Sequence, residues 1–283
     1  MGCCAFSTKD DTIDNKDGFD IAIKYPSGID GISINPQGET NEIENINVWI
    51  KSHFKNKSIS WIVYNNEHDD KEHSSFAHSK GIVSFEKNNI IWLIHSVPNY
   101  PATFDENGPS DIEDGSHIYG QSFICLKLDL KYKDLIIEHL KVQHAYITIT
   151  NIPKYNEHFE KVESFTITIN GTIIHLLSKP KKWDNDIYAD YIKHHFNESW
   201  KFQTWIRGHE SPETHNVTKV QNINWPNKSW HTTHDHSKVG VSHKKYVCIS
   251  SLNLMTSQKI RGGESVIIES EKLATIFNKI YLE

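Results

Sequence analysis

The segment His78-Ser-Lys80-Gly-Ile-Val-Ser84 returns as His236-Ser-Lys238-Val-Gly-Val-Ser242, identical at five of seven positions and placed in opposite halves of the chain. On a β-strand, residues i and i+2 leave the same face, so each His-x-Lys pair aims an imidazole and an ammonium the same way. Two such pairs meeting across a pseudo-twofold axis would supply a nucleophile, a proton donor and two cations. That is the equipment for cutting a phosphodiester without a metal. The bare triplet is weak in a chain with 18 histidines. Five copies occur, and three are set aside. His139/Lys141 lies in a helical pattern, where i and i+2 diverge, and His53/Lys55 and His243/Lys245 have no matching partner segment. The retained copies are each followed by a polar patch and an apolar run, Ile90–Ile94 and Tyr246–Ile249. His95 and Asn253 then fall at one offset, 95 − 78 = 17 and 253 − 236 = 17, as polar groups that could orient the imidazoles. An internal duplication explains these matches better than a chance echo.

Other blocks extend the pattern. Trp92-Leu-Ile-His-Ser-Val-Pro-Asn-Tyr-Pro101, Tyr119-Gly-Gln-Ser122, Val63-Tyr-Asn65, Phe19-Asp-Ile-Ala-Ile-Lys-Tyr-Pro26, Asp235-His-Ser-Lys238 and Arg261-Gly-Gly263 together resemble the deoxyribonuclease II family of the phospholipase D superfamily. The resemblance implies an α+β, phospholipase D-like fold: two pseudo-symmetric halves, each a mixed sheet flanked by helices, with the active site between them. It implies a metal-independent acid endodeoxyribonuclease that needs no cofactor, takes DNA as substrate and leaves 3′-phosphate ends through a phosphohistidine. His78, Lys80, His236 and Lys238 would be catalytic, one histidine as nucleophile and the other as acid and base; His78 is taken as the nucleophile, with pseudo-symmetry leaving the reverse assignment open, and His95 and Asn253 would support them. Three departures stand out. Val239 replaces the family's Trp, Ser250-Ser251-Leu252-Asn253 replaces Gly-Asp-x-Asn, and Glu264 follows Arg261-Gly262-Gly263 where a third glycine is usual. They motivate two alternatives, a catalytically impaired DNA-binding homologue and a lipid phosphodiesterase of the same superfamily.

The formal charge is −6 at neutral pH, unusual for a DNA-binding protein. Protonating every histidine takes it to +12, from −6 + 18. Imidazole titrates near pH 6.5, so mildly acidic surroundings would make the surface attract a polyanion. His231-Thr-Thr-His234-Asp-His236 could also be read as a metal site. It lacks a distinctive fourth ligand, however, and the repeat already accounts for His236. The Trp225-Pro-Asn-Lys-Ser-Trp230 stretch could stack bases, although loop tryptophans more often pack locally.

Only Cys3, Cys4, Cys125 and Cys248 are present, too few for a disulfide-stapled secreted chain. No apolar run of signal-peptide type opens the sequence. These features favour an intracellular protein, whereas the family resemblance points to an acidic, lysosome-like compartment. It also implies a disulfide position at Cys248, whose usual partner falls near Ile267. Gly2-Cys3-Cys4 raises acylation and weak membrane association, with the hydroxyl residue displaced from its usual place. No apolar run is long enough to span a membrane. One chain holds both half-sites, so a monomer would suffice.

The elements divide the chain into a flexible segment at 1–17, a first half at 18–144 and a second half at 145–283. Periodicity predicts strands at Phe19–Tyr25, Ile59–Tyr64, Gly81–Phe85, Ile90–His95 and Ser122–Leu128, and then a helix at Tyr132–Val142. The second half reads as strands at Tyr146–Thr150, Phe165–Ile169, Thr172–Leu177, Trp200–Ile206 and Tyr246–Ser250. Helices are predicted at Asp184–Phe196 and Glu269–Tyr281. The Pro- and Gly-rich stretch Asn99–Gly115 reads as a long loop that could rim the cleft.

Overall fold

Strand alternation divides the apolar residues among three packed clusters. In the computed structural model, which describes residues 17–153, 161–206, 209 and 217–282, two large sheets carry this division. The acylation motif at Gly2-Cys3-Cys4 lies outside the described residues.

The first sheet has eight strands, in the order Ile147–Thr150, Ser60–Asn65, Lys80–Phe85, Asn89–His95, Gln121–Asp129, Gly18–Lys24, Gly31–Ile34 and Thr40–Ile43. Every neighbouring pair is antiparallel. The second sheet has seven, in the order Glu163–Ile169, Thr172–Lys179, Gly263–Glu269, Tyr246–Ser250, Val239–Ser242, Trp200–Gln203 and Thr218–Lys219. Only its last pair is parallel. The architecture is mixed α+β, with several sheets and few helices. The first sheet takes its edge strand, Ile147–Thr150, from beyond residue 144, where the second half was expected to begin.

Alternate residues of each strand face opposite ways. Ile21, Ile23, Trp92, Ile94 and Ile124 of the first sheet share one cluster with Val239, Val241, Ile249, Val266 and Ile268 of the second. The same cluster takes the apolar faces of helices Lys133–Gln143 (Ile136, Leu140) and Glu271–Ile280 (Leu273, Phe277). Ala22, Val63, Ile82, Leu93 and Phe123 point the other way and pack under helix Ile46–His53. Phe202, Cys248 and Ile267 do the same on the second sheet's outer face, under Tyr188 and Ile192. Strands covered on both faces read as continuous apolar runs. Asn89–His95 is buried throughout for this reason.

The segment expected to rim the cleft instead covers the outer face of the first sheet: Tyr100, Phe104 and Ile112 all pack into that cluster. The helix expected over Asp184–Phe196 is a π-helical stretch, Ile187–Ile192, followed by one α turn, Lys193–Phe196. Trp225 is buried and Trp230 packs edge-on against the distant Tyr25, so both tryptophans are engaged in tertiary packing.

Candidate active site

Each His-x-Lys pair lies at the leading end of a strand, with its histidine before the strand and not within it as expected. Lys80 opens Lys80–Phe85, and Lys238 immediately precedes Val239–Ser242. Each histidine is tied by its backbone to a glycine that leads into the other large sheet. His78 N donates to Gly262 O at 2.9 Å, and His236 N donates to Gly120 O at 2.8 Å. Gly120 and Gly262 each directly precede a central strand, Gln121–Asp129 and Gly263–Glu269. A side chain at either position would force a neighbour to move. A Cβ on Gly120 would lie 2.5 Å from the Asp235 carboxylate, and one on Gly262 would collide with the Gln143 carbonyl.

Lys24 and Lys179 brace these two junctions. Each ends a strand and pairs with the first residue of a central strand, Lys24 with Gln121 and Lys179 with Gly263. Both are fully buried. Lys24 Nζ donates to the carbonyls of Tyr25, Gly28 and His117 at 2.7–2.9 Å. Lys179 Nζ donates to those of Lys259 and Arg261 at 2.6 and 2.7 Å. Burial, only partly offset by nearby carboxylates, pushes each ammonium down to about 8.

His78 has a defined tautomer. Its Nδ1 lies 2.8 Å from the Ser251 carbonyl, which can only accept, so Nδ1 carries the proton and Nε2 the lone pair. The ring is 11% exposed. Burial, followed by the charges of Lys80, Lys238 and Arg261, holds its pKa well below the ordinary imidazole range. It is therefore a neutral base with its free nitrogen turned toward the cleft. His236 is held differently, stacked on Tyr119 (centroids 4.1 Å apart, planes 13° apart) with Trp205 at 4.1 Å on a tilted plane.

Lys80 and Lys238 are 3% and 4% exposed. Lys80 Nζ donates to Asn66 Oδ1 at 2.8 Å and pairs with Glu67 Oε1 at 2.8 Å. Lys238 Nζ donates to the His236 carbonyl at 2.5 Å. Burial and then the neighbouring Lys80 charge push Lys238 down to about 7, against the pull of Glu67 and Asp235. The two lysines share one field.

Glu67 was not anticipated from sequence. Burial alone would raise its carboxyl, but the charge and hydrogen bond of Lys80, helped by Lys238 and His236, hold it below its ordinary range. Its Oε1 is 3.8 Å from His78 Nε2. Asp235, fully buried, fixes the second motif by accepting from Ser237 N at 2.7 Å and Trp230 Nε1 at 2.7 Å.

The two supporting residues are placed unequally. Asn253 shares a cleft of about 610 Å³ with Glu67, His78, Trp205 and Arg261. His95 is buried behind Lys80, its Nδ1 accepting from Val97 N at 3.2 Å, and burial pushes its ring down to about 3. The equal offset of the two residues is not structural. His95 pairs with Phe123, two residues into Gln121–Asp129, whereas the corresponding position, opposite Ser265, is held by Ser250. The second hairpin is three residues shorter, 250 − 236 = 14 against 17. His231 and His234 are exposed, and no three His, Cys, Asp or Glu side chains converge as metal ligands among the described residues.

Residues 34–283 match the family model described as Deoxyribonuclease II. The chain belongs to the deoxyribonuclease II family. It is 28% identical to Cell-death-related nuclease 7 of Caenorhabditis elegans over 257 residues, covering 79% of this chain and 68% of that one. It is 27% identical to Deoxyribonuclease-2 of the same organism (77% and 64% covered) and 23% identical to Deoxyribonuclease-2-beta of Mus musculus (82% and 72%). The protein is a phosphodiester-hydrolysing nuclease of the deoxyribonuclease II type.

The three departures each have a defined place in the structure. Val239 is buried in the shared core, paired with Gln203 and Ile249. Ser251 serves His78 through its backbone carbonyl, which any residue could supply. Glu264 is fully buried. Its Oε1 accepts from Tyr64 Oη at 3.0 Å, and its Oε2 meets His139 Nε2 at 3.0 Å and Gln143 Nε2 at 3.1 Å. Cys248 is free, directly opposite Ile267 in the ladder, where the resemblance placed its partner cysteine.

Proposed function

We propose that this nuclease is a metal-independent acid endodeoxyribonuclease that cuts DNA in two steps through a phosphohistidine on His78. The observation that carries this reading is the Nδ1–H···O bond to Ser251, which leaves a neutral His78 with its Nε2 lone pair facing the cleft. In the first step Nε2 attacks phosphorus, the P–N bond forms and the bond to the 5′ oxygen breaks. Protonated His236 gives its proton to that oxygen. In the second step neutral His236 takes a proton from water, hydroxide displaces the imidazole, and a 3′-phosphate leaves. Lys80 and Lys238 neutralise the non-bridging oxygens as charge builds in the transition state.

Two pseudo-symmetric halves fit this division of labour. The central strand order Ser60–Asn65, Lys80–Phe85, Asn89–His95, Gln121–Asp129, Gly18–Lys24 corresponds to Trp200–Gln203, Val239–Ser242, Tyr246–Ser250, Gly263–Glu269, Thr172–Lys179. The matched braces Lys24 and Lys179 and the reciprocal glycine carbonyls support the same reading.

The test is plasmid nicking in EDTA at roughly pH 5 and roughly pH 7.5, on either side of the imidazole range. Cutting at the acidic pH, lost in His78→Ala and His236→Ala, is the expected result. A strict requirement for an added divalent cation would overturn it.

Lys238 gives the site a pH dependence of its own. Lys238 titrates at about 7, so raising pH through that value removes a cation from the phosphate site. The kcat/KM profile should therefore fall on its alkaline side with an apparent pKa of about 7, the value of the free enzyme. Lys238→Arg, charged throughout, should move the binding part of that limb upward. A limb that stays in place in Lys238→Arg would assign it entirely to histidine.

A further inference from the structure

We propose that the acidic hairpin at the mouth of the cleft stands in for the substrate backbone: Glu67 takes the place of a scissile phosphoryl oxygen on Lys80, and Glu72 that of a neighbouring phosphate on Arg261. DNA must displace both carboxylates to bind. The inference rests on the phosphohistidine reading for what the site holds.

The hairpin pairs Glu67–His68 with Lys71–Glu72. Asp69 and Asp70 form its turn, both left-handed at φ 51° and 56°. Successive residues with positive φ make the tight turn that suits a two-residue loop. Asn99 braces it: its Nδ2 donates to Asp70 Oδ1 at 3.0 Å, and its backbone N donates to Glu67 O at 3.1 Å. The sequence Glu67-His-Asp-Asp-Lys-Glu72 carries four carboxylates against one lysine.

Both glutamates are bound to buried cations that line or adjoin the cleft. Glu67 Oε1 is 2.8 Å from Lys80 Nζ and 3.8 Å from His78 Nε2. A non-bridging oxygen takes much the same position when phosphorus sits in line for attack, roughly 3–3.5 Å from a nucleophile. Glu72 pairs with Arg261 Nη1, and Arg261 is 5% exposed. Arg261 also donates to Phe76 O and lies in the field of His78. An arginine fork suits a phosphate as well as it suits a carboxylate. Glu67 is 30% exposed and Glu72 56%, so both carboxylates can swing out into solvent while the cations stay. Without such counter-ions, Lys80, Lys238 and Arg261 would repel one another in the empty site.

The test measures binding rather than turnover. A short fluorescein-labelled DNA duplex is titrated into His78→Ala protein at roughly pH 5, where Lys238 is charged in every variant. Adding Glu67→Gln should tighten binding about tenfold and Glu72→Gln about threefold, with the double change near the product of the two. Glu44→Gln, a control on an exposed glutamate away from the cleft, should change little. Unchanged or weaker binding in the cleft variants would overturn the proposal. Glu72 is exposed enough for Glu72→Gln to fold even if Glu67→Gln does not. If wild-type protein fails to cut DNA while both variants bind more tightly, the stand-in holds and the phosphohistidine reading falls. Cutting without tightening gives the converse.

Discussion

His78→Ala should lose DNA cleavage by at least about 10⁴-fold, and the same change at His236 should lose it nearly as completely. The two variants should separate, however, on a substrate whose leaving group needs no proton. Thymidine 3′-(4-nitrophenyl phosphate) places nitrophenolate where the 5′ oxygen of DNA would stand. His236→Ala should still release nitrophenolate in a first turnover close to the wild-type rate, because attack by Nε2 needs no acid there. It should then stall, since no base activates water for the second step. His78→Ala should release none. The asymmetry follows from geometry: Ser251 fixes the tautomer of His78, whereas His236 sits between Tyr119 and Trp205. Equal release from both variants would make the two rings interchangeable. Release by His78→Ala alone would reverse their roles.

The second large effect concerns stability. Glu264→Ala should cost about 3–5 kcal/mol, because it leaves Tyr64, His139 and Gln143 buried without their shared acceptor. Both side chains of the His139–Glu264 pair are fully buried. The carboxylate also joins Tyr64 of the first sheet and Gln143 of the long helix, and Trp92 Nε1 donates to the same tyrosine at 3.1 Å. One side chain of the second sheet thereby ties to the first sheet and to the long helix. For a chain of this size the loss corresponds to a Tm lower by on the order of 10 °C. His139→Ala should cost a similar amount, and the double variant less than the sum, since each change strands the same partner. Thermal unfolding of the three proteins measures the coupling. Additive losses would mean that the pair contributes little and that the buried glutamate is held by its other partners.

Much of this was legible in the sequence because the strands are long and covered on both faces. Ile90–His95 and Ser122–Leu128 read as strands from their apolar runs, and the ladders extend each by only one or two residues. Val239–Ser242 was readable as a strand only through its likeness to the first motif, since its own pattern is four residues with a glycine inside. Gly31–Ile34, Thr40–Ile43 and helix Ile46–His53 are short and partly exposed, so their periodicity is weak. The four motif residues were readable because identity and spacing repeat. Their partners were not. Ser251 contributes a carbonyl, which leaves no trace in a side-chain pattern. Glu67 enters from a hairpin eleven positions before His78, 78 − 67 = 11, and nothing repeats it in the second motif. Tyr119 reaches His236 only because two distant loops are stitched together at Gly120 and Asp235. Asn253 matched His95 in offset, but the shorter second hairpin gives that ladder position to Ser250.

The central claim is a covalent bond between phosphorus and His78. The measurement is intact mass and peptide mapping of His236→Ala protein mixed with thymidine 3′-(4-nitrophenyl phosphate) in EDTA and quenched in alkali, which preserves phosphohistidine. A thymidine 3′-phosphoryl adduct on the peptide containing His78, absent from His78→Ala, is the expected result. Release of nitrophenolate with no adduct on either histidine would contradict it and point to direct attack by water.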